Sequence, residues 1–182
     1  LSDDLRLKIE TTTSKTELED LYLPYKPKRR TRATIAKEKG LEPLAEFIAH
    51  QSLDSDPSTE AARFVNEEKD VADVSAALAG ARDIVAEQIA ERAEVRALIR
   101  DAYAKRGIIV SKPLKMDANP ETSKYKDYFD FSQPVSEIPS HRYLAIRRGE
   151  AEGELIRKFD MDAEPQIEQI KILCAYNPAS PF

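Results

Sequence analysis

Residues 73–106 read DVSAALAGARDIVAEQIAERAEVRALIRDAYAKR, and their periodicity decides the fold. Apolar residues recur at Val74, Leu78, Ala81, Val85 and Ile89, the three-or-four spacing that makes one face of a helix. After a break near 90–92, Val95, Leu98, Ile99 and Tyr103 continue the pattern to Gly107. The stretch predicts two long antiparallel helices, or one kinked helix, as a central scaffold that buries Leu78, Val85, Ile89 and Leu98.

Helix signals also dominate before it. Ser14-Lys15-Thr16-Glu17 has the form of a capping box, and Pro24 ends the short helix that follows. Thr31 caps RATIAKEK, which Gly40 closes. EPLAEFIAH accepts Pro43 in its first turn, and Asp56-Pro57 reads as a cap plus first helical residue. Beyond Gly107 the texture changes. GIIVS is a short β-branched run, and GELIRKFDM alternates enough to be its strand partner. Asn119-Pro120 starts a short helix over ETSKYKDYF, and Ser140 caps HRYLAIRRGE, burying Leu144 and turning Arg147 or Arg148 outward. PQIEQIKILCAY forms a last helix. The predicted fold is mainly α, a multi-helical scaffold with at most a small two-stranded β-ribbon. Residues 1–106 form a helical region with a basic, proline-containing loop at 21–32, and 107–182 continue it as helices with the ribbon.

The composition bounds the function. The chain has 182 residues, 41% of them hydrophobic, 34% charged, and a net charge of −5. That is too apolar for a disordered chain, and no apolar run nears the ~20 residues of a membrane span. One cysteine, Cys174, excludes an internal disulfide and suits a reducing cytoplasm. Opening on Leu1 and ending on NPASPF, the chain reads as a piece of a longer protein. The five glycines form no phosphate-cradling loop, and two distant histidines with one cysteine give no zinc spacing. Cys174 reads as a buried structural residue on the last helix. Glu150, Glu152 and Glu154 read as solvated acids beside Arg147 and Arg148 rather than a metal site. No enzyme, cofactor, membrane or small-molecule substrate is expected.

The positive signal is LYLPYKPKRRTR, Leu21–Arg32. From Lys26 to Lys39 the chain carries Lys26, Lys28, Arg29, Arg30, Arg32, Lys37 and Lys39 against Glu38 alone, a local +6 that leaves −11 elsewhere. Such polarity makes a local positive field. Pro24 and Pro27 favour extended backbone, which spreads neighbouring side chains in different directions. The cations could grip phosphates while Tyr25 or Tyr22 stacks on a base. They could equally pair with acids of this chain or a neighbouring domain, or merely solvate a turn. Arg147 and Arg148 are candidates for contact with a partner, pairing with Glu150 or Glu152 being the alternative.

Three stretches, Ser14–Ala45, Ala77–Glu87 and Lys124–Gly153, resemble the Tex family of bacterial transcription accessory proteins, most specifically in LEDLYLPYKPKRRT and PSHRYLAIRRGEAEG. The resemblance implies a largely helical, multi-domain protein. Its parts would be an N-terminal helical region with a helix-turn-helix-like part, a YqgF nuclease-like domain, helix-hairpin-helix units and a C-terminal OB-type RNA-binding domain. This chain would be the N-terminal helical region. The implied partners are RNA or another nucleic acid and the transcription machinery, in the cytoplasm. The alternative is a scaffold that contacts only other domains and proteins.

Overall fold

The structure is a computed structural model that describes residues 2–26, 29–53, 55–115 and 120–181. It divides into two compact units, one from residues up to Ala97 together with those from Gln169 onward, the other from Leu98 to Glu168.

The first unit is helical: α1 (Asp3–Thr11), α2 (Lys15–Tyr22), α3 (Arg32–Glu38), α4 (Glu42–Ala49), α5 (Pro57–Ala62), α6 (Val74–Glu91) and the start of α7 (Ala93–Arg106). Its helices begin where short polar side chains can accept from backbone N–H groups that would otherwise lack a partner. Ser14 accepts from the Glu17 N–H at 3.4 Å, Thr31 from Thr34 at 3.0 Å, Asp56 from Thr59 at 2.8 Å and Asp73 from Ala76 at 2.7 Å. The three caps expected in this unit, Ser14, Thr31 and Asp56, are therefore made, and Asp73 adds one that the sequence reading did not name. Gly40 closes α3 at φ +83°, where a side chain would be strained. The Gly40 N–H donates to the Lys37 carbonyl and the Leu41 N–H to the Ala36 carbonyl, a Schellman closure that drives Leu41 into the core.

Helix α6 packs against α3, α4 and α5. Its fully buried positions are Ala77, Ala81 and Ile84, facing Ala33, Ala36, Leu41 and Leu44. Of the predicted stripe Ala81 is fully buried, and the rest is displaced by about one position. Leu78 and Val85 pack only partly buried at the edge of this cluster, and Ile89 and Leu98 are also half-buried. The physical reason is size. Small residues let helices approach closely, so the line of closest contact runs through Ala77, Gly80 and Ala81, and a Cβ on Gly80 would overlap Leu41 Cδ1. The expected break is real. Arg92, extended at ψ 128°, ends α6, and the partners of α6 are the earlier helices rather than a pairing with α7.

In the second unit, β1 (Ile108–Pro113) pairs antiparallel with β2 (Phe131–Pro134) and with β3 (Leu155–Asp160). The expected ribbon of β1 and β3 is present, but the sheet has three strands in the order β2-β1-β3. Pro134 lacks an N–H, and an edge strand tolerates that. Helix α8 (Ser140–Ala151) covers one face, where Ile146 joins Ile109, Leu155 and Tyr125 in a second core. Three expectations fail here. Ser140 is the first helical residue, and the cap is Pro139, whose carbonyl accepts from Arg142 and Tyr143. Leu144 is 58% exposed, because the inward positions of α8 are Ile146 and Gly149. In place of a helix over ETSKYKDYF there are two 3₁₀ turns, Pro120–Thr122 and Lys126–Tyr128, with Asn119 outside the described residues. The last helix, α9 (Glu164–Leu173), stops before Cys174, which is half-buried in the turn that follows rather than enclosed in a core. No described helix is long and apolar enough to cross a membrane.

Candidate nucleic-acid interface

Helix α2 ends at Tyr22 because Pro24 cannot continue its hydrogen bonds, and the chain tightens into a 3₁₀ turn, Leu23–Tyr25. Lys26 then adopts extended backbone (ψ 134°), as a residue before proline should. Tyr22 and Tyr25 are 55% and 65% exposed, while Leu21 and Leu23 are half-buried. The two rings border an apolar groove of about 610 Å³ whose floor is Leu5, Ile9, Leu18 and Leu21. On the same helix, α2, the buried Asp20 carboxylate accepts from Arg96 Nε at 2.7 Å. That pair was not legible in sequence, since 76 residues separate its members.

The cations divide into two groups. Arg30 Nη2 lies 2.7 Å from Glu38, Arg32 Nη2 3.7 Å from Asp83, and Lys37 Nζ 3.1 Å from Glu42. Lys39 Nζ donates to the Asp70 carboxylate at 2.6 Å and to the Asp70 carbonyl at 2.7 Å. The hydrogen bond and the nearby charge of Lys39 hold the Asp70 carboxyl below its ordinary value. These four cations are thus engaged with acids of the same chain. Lys26 and Arg29 are exposed and have no ion-pair partner among the described residues. Lys28 lies outside them.

The second candidate pair sits on α8. Arg147 and Arg148 both face outward. Arg147 Nη1 lies 2.7 Å from Glu150 Oε2, which also takes Arg157 Nε at 3.3 Å. Arg148 makes no such bridge among the described residues, although its charge helps to lower the Glu152 carboxyl. The larger causes at Glu152 are hydrogen bonds from Lys124, at 2.7 Å, and from Tyr125. In return the Lys124 ammonium is raised by its bond to Glu152, and the Tyr125 phenol is raised first by burial and then by the same carboxylate. Glu154 accepts from the Ser123 hydroxyl. The three carboxylates therefore go to separate partners, and among the described residues no group of His, Cys, Asp or Glu could hold a metal ion.

What these features define is a helical module with one small sheet, presenting rings and cations at its surface. The chain belongs to the Tex family: residues 52–177 match the family model described as Tex central region-like. That model is named for the central region, where the sequence resemblance pointed to the N-terminal helical one. The chain is 49% identical over 169 residues to Protein YhgF of Escherichia coli (strain K12), covering 93% of this chain and 21% of that protein. It is 44% identical to Protein tex of Bordetella pertussis, covering 92% and 21%. It is 45% identical to the transcriptional accessory protein Tex of Neisseria gonorrhoeae, covering 93% and 22%. The chain thus spans about a fifth of the length of these relatives.

Proposed function

We propose that this chain is the helical part of a transcription accessory protein that contacts RNA and works beside the transcription machinery in the cytoplasm. The reading assigns it no catalysis, no cofactor and no small-molecule substrate. The observation that carries it is that, around the connection after α2, Tyr22 and Tyr25 are exposed and Lys26 and Arg29 are exposed cations with no ion-pair partner among the described residues. Rings of this kind stack on unpaired bases, and free cations hold phosphates. The name of the gonococcal relative supports the transcriptional setting. Replacing Lys26 and Arg29 by glutamine removes up to two phosphate contacts. The slope of log affinity against log salt for single-stranded RNA should become shallower by about 1.4. An unchanged slope would remove this segment from the interface.

A scaffold reading has its own support. Arg30, Arg32, Lys37 and Lys39 are tied to acids of this chain, as structural cations would be. A chain that binds no RNA even at low salt, yet binds another part of its own full-length protein, would favour it.

A further inference from the structure

The two edges of the sheet are built differently. Strand β2 has four residues and ends in Pro134, a short edge that offers a neighbour little to pair with. Strand β3 runs for six residues, and four of them are exposed. Its main chain is only half used. The Leu114 N–H donates to the Glu154 carbonyl at 2.8 Å, one step beyond the Pro113–Leu155 pair. Residues of an antiparallel ladder alternate between bonding the partner strand and pointing away from it. Ile156, Lys158 and Asp160 therefore turn their N–H and C=O groups to β1, and Leu155, Arg157 and Phe159 turn theirs to the open edge. None of these outward groups has a hydrogen-bond partner among the described residues.

The side chains say which strand fits that edge. Arg157 and Phe159 pair with Ser111 and Ile109, both buried, and so lie on the face that α8 covers. There the Phe159 ring is 44% exposed, and Arg157 is tied to Glu150. On the opposite face, Lys158 and, diagonally across β1, Lys112 are exposed cations with no ion-pair partner among the described residues. Asp160, at the end of the strand, turns its carboxylate to the Met161 N–H at 2.9 Å. A new strand beside β3 would set alternate side chains beside Lys158 on one face and beside Phe159 on the other. Lys158 would stand at a non-hydrogen-bonded position, where facing side chains come closest. Acids on one face and apolar residues on the other answer what this edge presents. A second copy of β3 does not. Antiparallel self-pairing centred on Arg157 sets two arginines opposite each other, and centred on Lys158 two lysines, and like charges directly opposite are destabilising. We infer that the free edge of β3 is a docking site for an extended, acidic segment of a partner protein. Its backbone would bond Leu155, Arg157 and Phe159 while its carboxylates face Lys158. The edge shares no residue with the connection after α2, so either surface can fail alone.

Amide hydrogen exchange of the whole chain tests this, with a blocked nonapeptide alternating glutamate and valine as the probe. In the free chain the Arg157 and Phe159 amides should exchange quickly, and those of Ile156 and Lys158 slowly. Saturating peptide should slow Arg157 and Phe159 by about tenfold or more. N-methylating the peptide amides that face β3 should abolish binding. Lys158→Glu, an exposed change, should weaken it about tenfold. Equal binding by the methylated peptide, or binding that leaves Arg157 and Phe159 exchanging quickly, would overturn the edge as the site. Unchanged affinity in Lys158→Glu would overturn the acidic partner, and no binding of the peptide at low salt would overturn the whole proposal. Slow exchange at Arg157 and Phe159 without peptide, together with a doubled mass in sedimentation, would overturn it in favour of a second copy. Slowing of the same amides by oligouridylate and not by the peptide would overturn it in favour of RNA.

Discussion

The core around α6 and the core beneath the sheet meet the same packing demand with different materials. In the first unit, alanines at 33, 36, 77 and 81 let helices approach until Leu41, Leu44 and Ile84 fill the seam. In the second, large side chains do most of the filling, with Ile109, Ile146, Leu155 and Tyr125 meeting between sheet and helix. Each still relies on one helical glycine at its tightest point, Gly80 against Leu41 and Gly149 against Leu155. The surfaces differ as well. The first unit ties most of its basic segment to its own acids, whereas Lys112 and Lys158 on the sheet of the second have no ion-pair partner among the described residues. Charge that is dense in sequence is therefore not the same as charge that is available.

The largest expected effect probes the small-residue seam. Ile84→Ala should cost about 2–5 kcal/mol in chemical denaturation, because close-packed alanines cannot collapse into the space left. Leu78→Ala should cost less, since Leu78 only borders the cluster. Equal losses would mean that the seam runs through Leu78 after all.

A smaller effect is expected at the glycine of the second core. A Cβ on Gly149 would lie 2.6 Å from Leu155 Cδ1, 2.8 Å from Leu155 Cγ and 3.2 Å from the Tyr125 ring. Gly149→Ala should destabilise by about 1–3 kcal/mol despite the better helix propensity of alanine. A stabilised variant would show that this core is looser than its geometry indicates.

The smallest effect concerns pH. Lys124 and Tyr125 hold the Glu152 carboxyl below its ordinary value of 4.5. A depressed carboxyl contributes stability that is fully present above its unfolded value and lost as pH falls through the folded one. The melting difference between parent and Glu152→Gln should therefore be constant at neutral pH and close in acid, below about pH 4.5. It should also shrink in strong alkali, as pH rises through the raised value of Lys124. A difference that persisted unchanged into acid would mean that the Glu152 charge plays no part.

What the sequence made legible was local. The caps at Ser14, Thr31 and Asp56 and the closure at Gly40 each depend on residues a few positions apart, and all were readable. The stripe of α6 was right at Ala81 but misplaced at Leu78 and Val85, because hydrophobicity favours the larger residues while close approach favours alanine, as at Ala77. Strand β2 was invisible because four residues ending in proline become a strand only by pairing with β1. The state of the basic segment was equally hidden. Arg32 meets Asp83, and Lys39 meets Asp70 across 31 residues, so no reading of the segment alone could tell bound from free cations.

The most direct test of the account is the salt dependence of RNA binding by the unaltered chain. With a net charge of −5 the chain should bind single-stranded RNA weakly, and only through its few free cations. Affinity measured from low to moderate salt should then fall on a straight log–log line, with a slope of about −0.7 per phosphate contact. Binding should be measurable at low salt, with a slope of about −1.4 for the two contacts of Lys26 and Arg29. Binding that ignores salt, or no binding even at low salt, would contradict it.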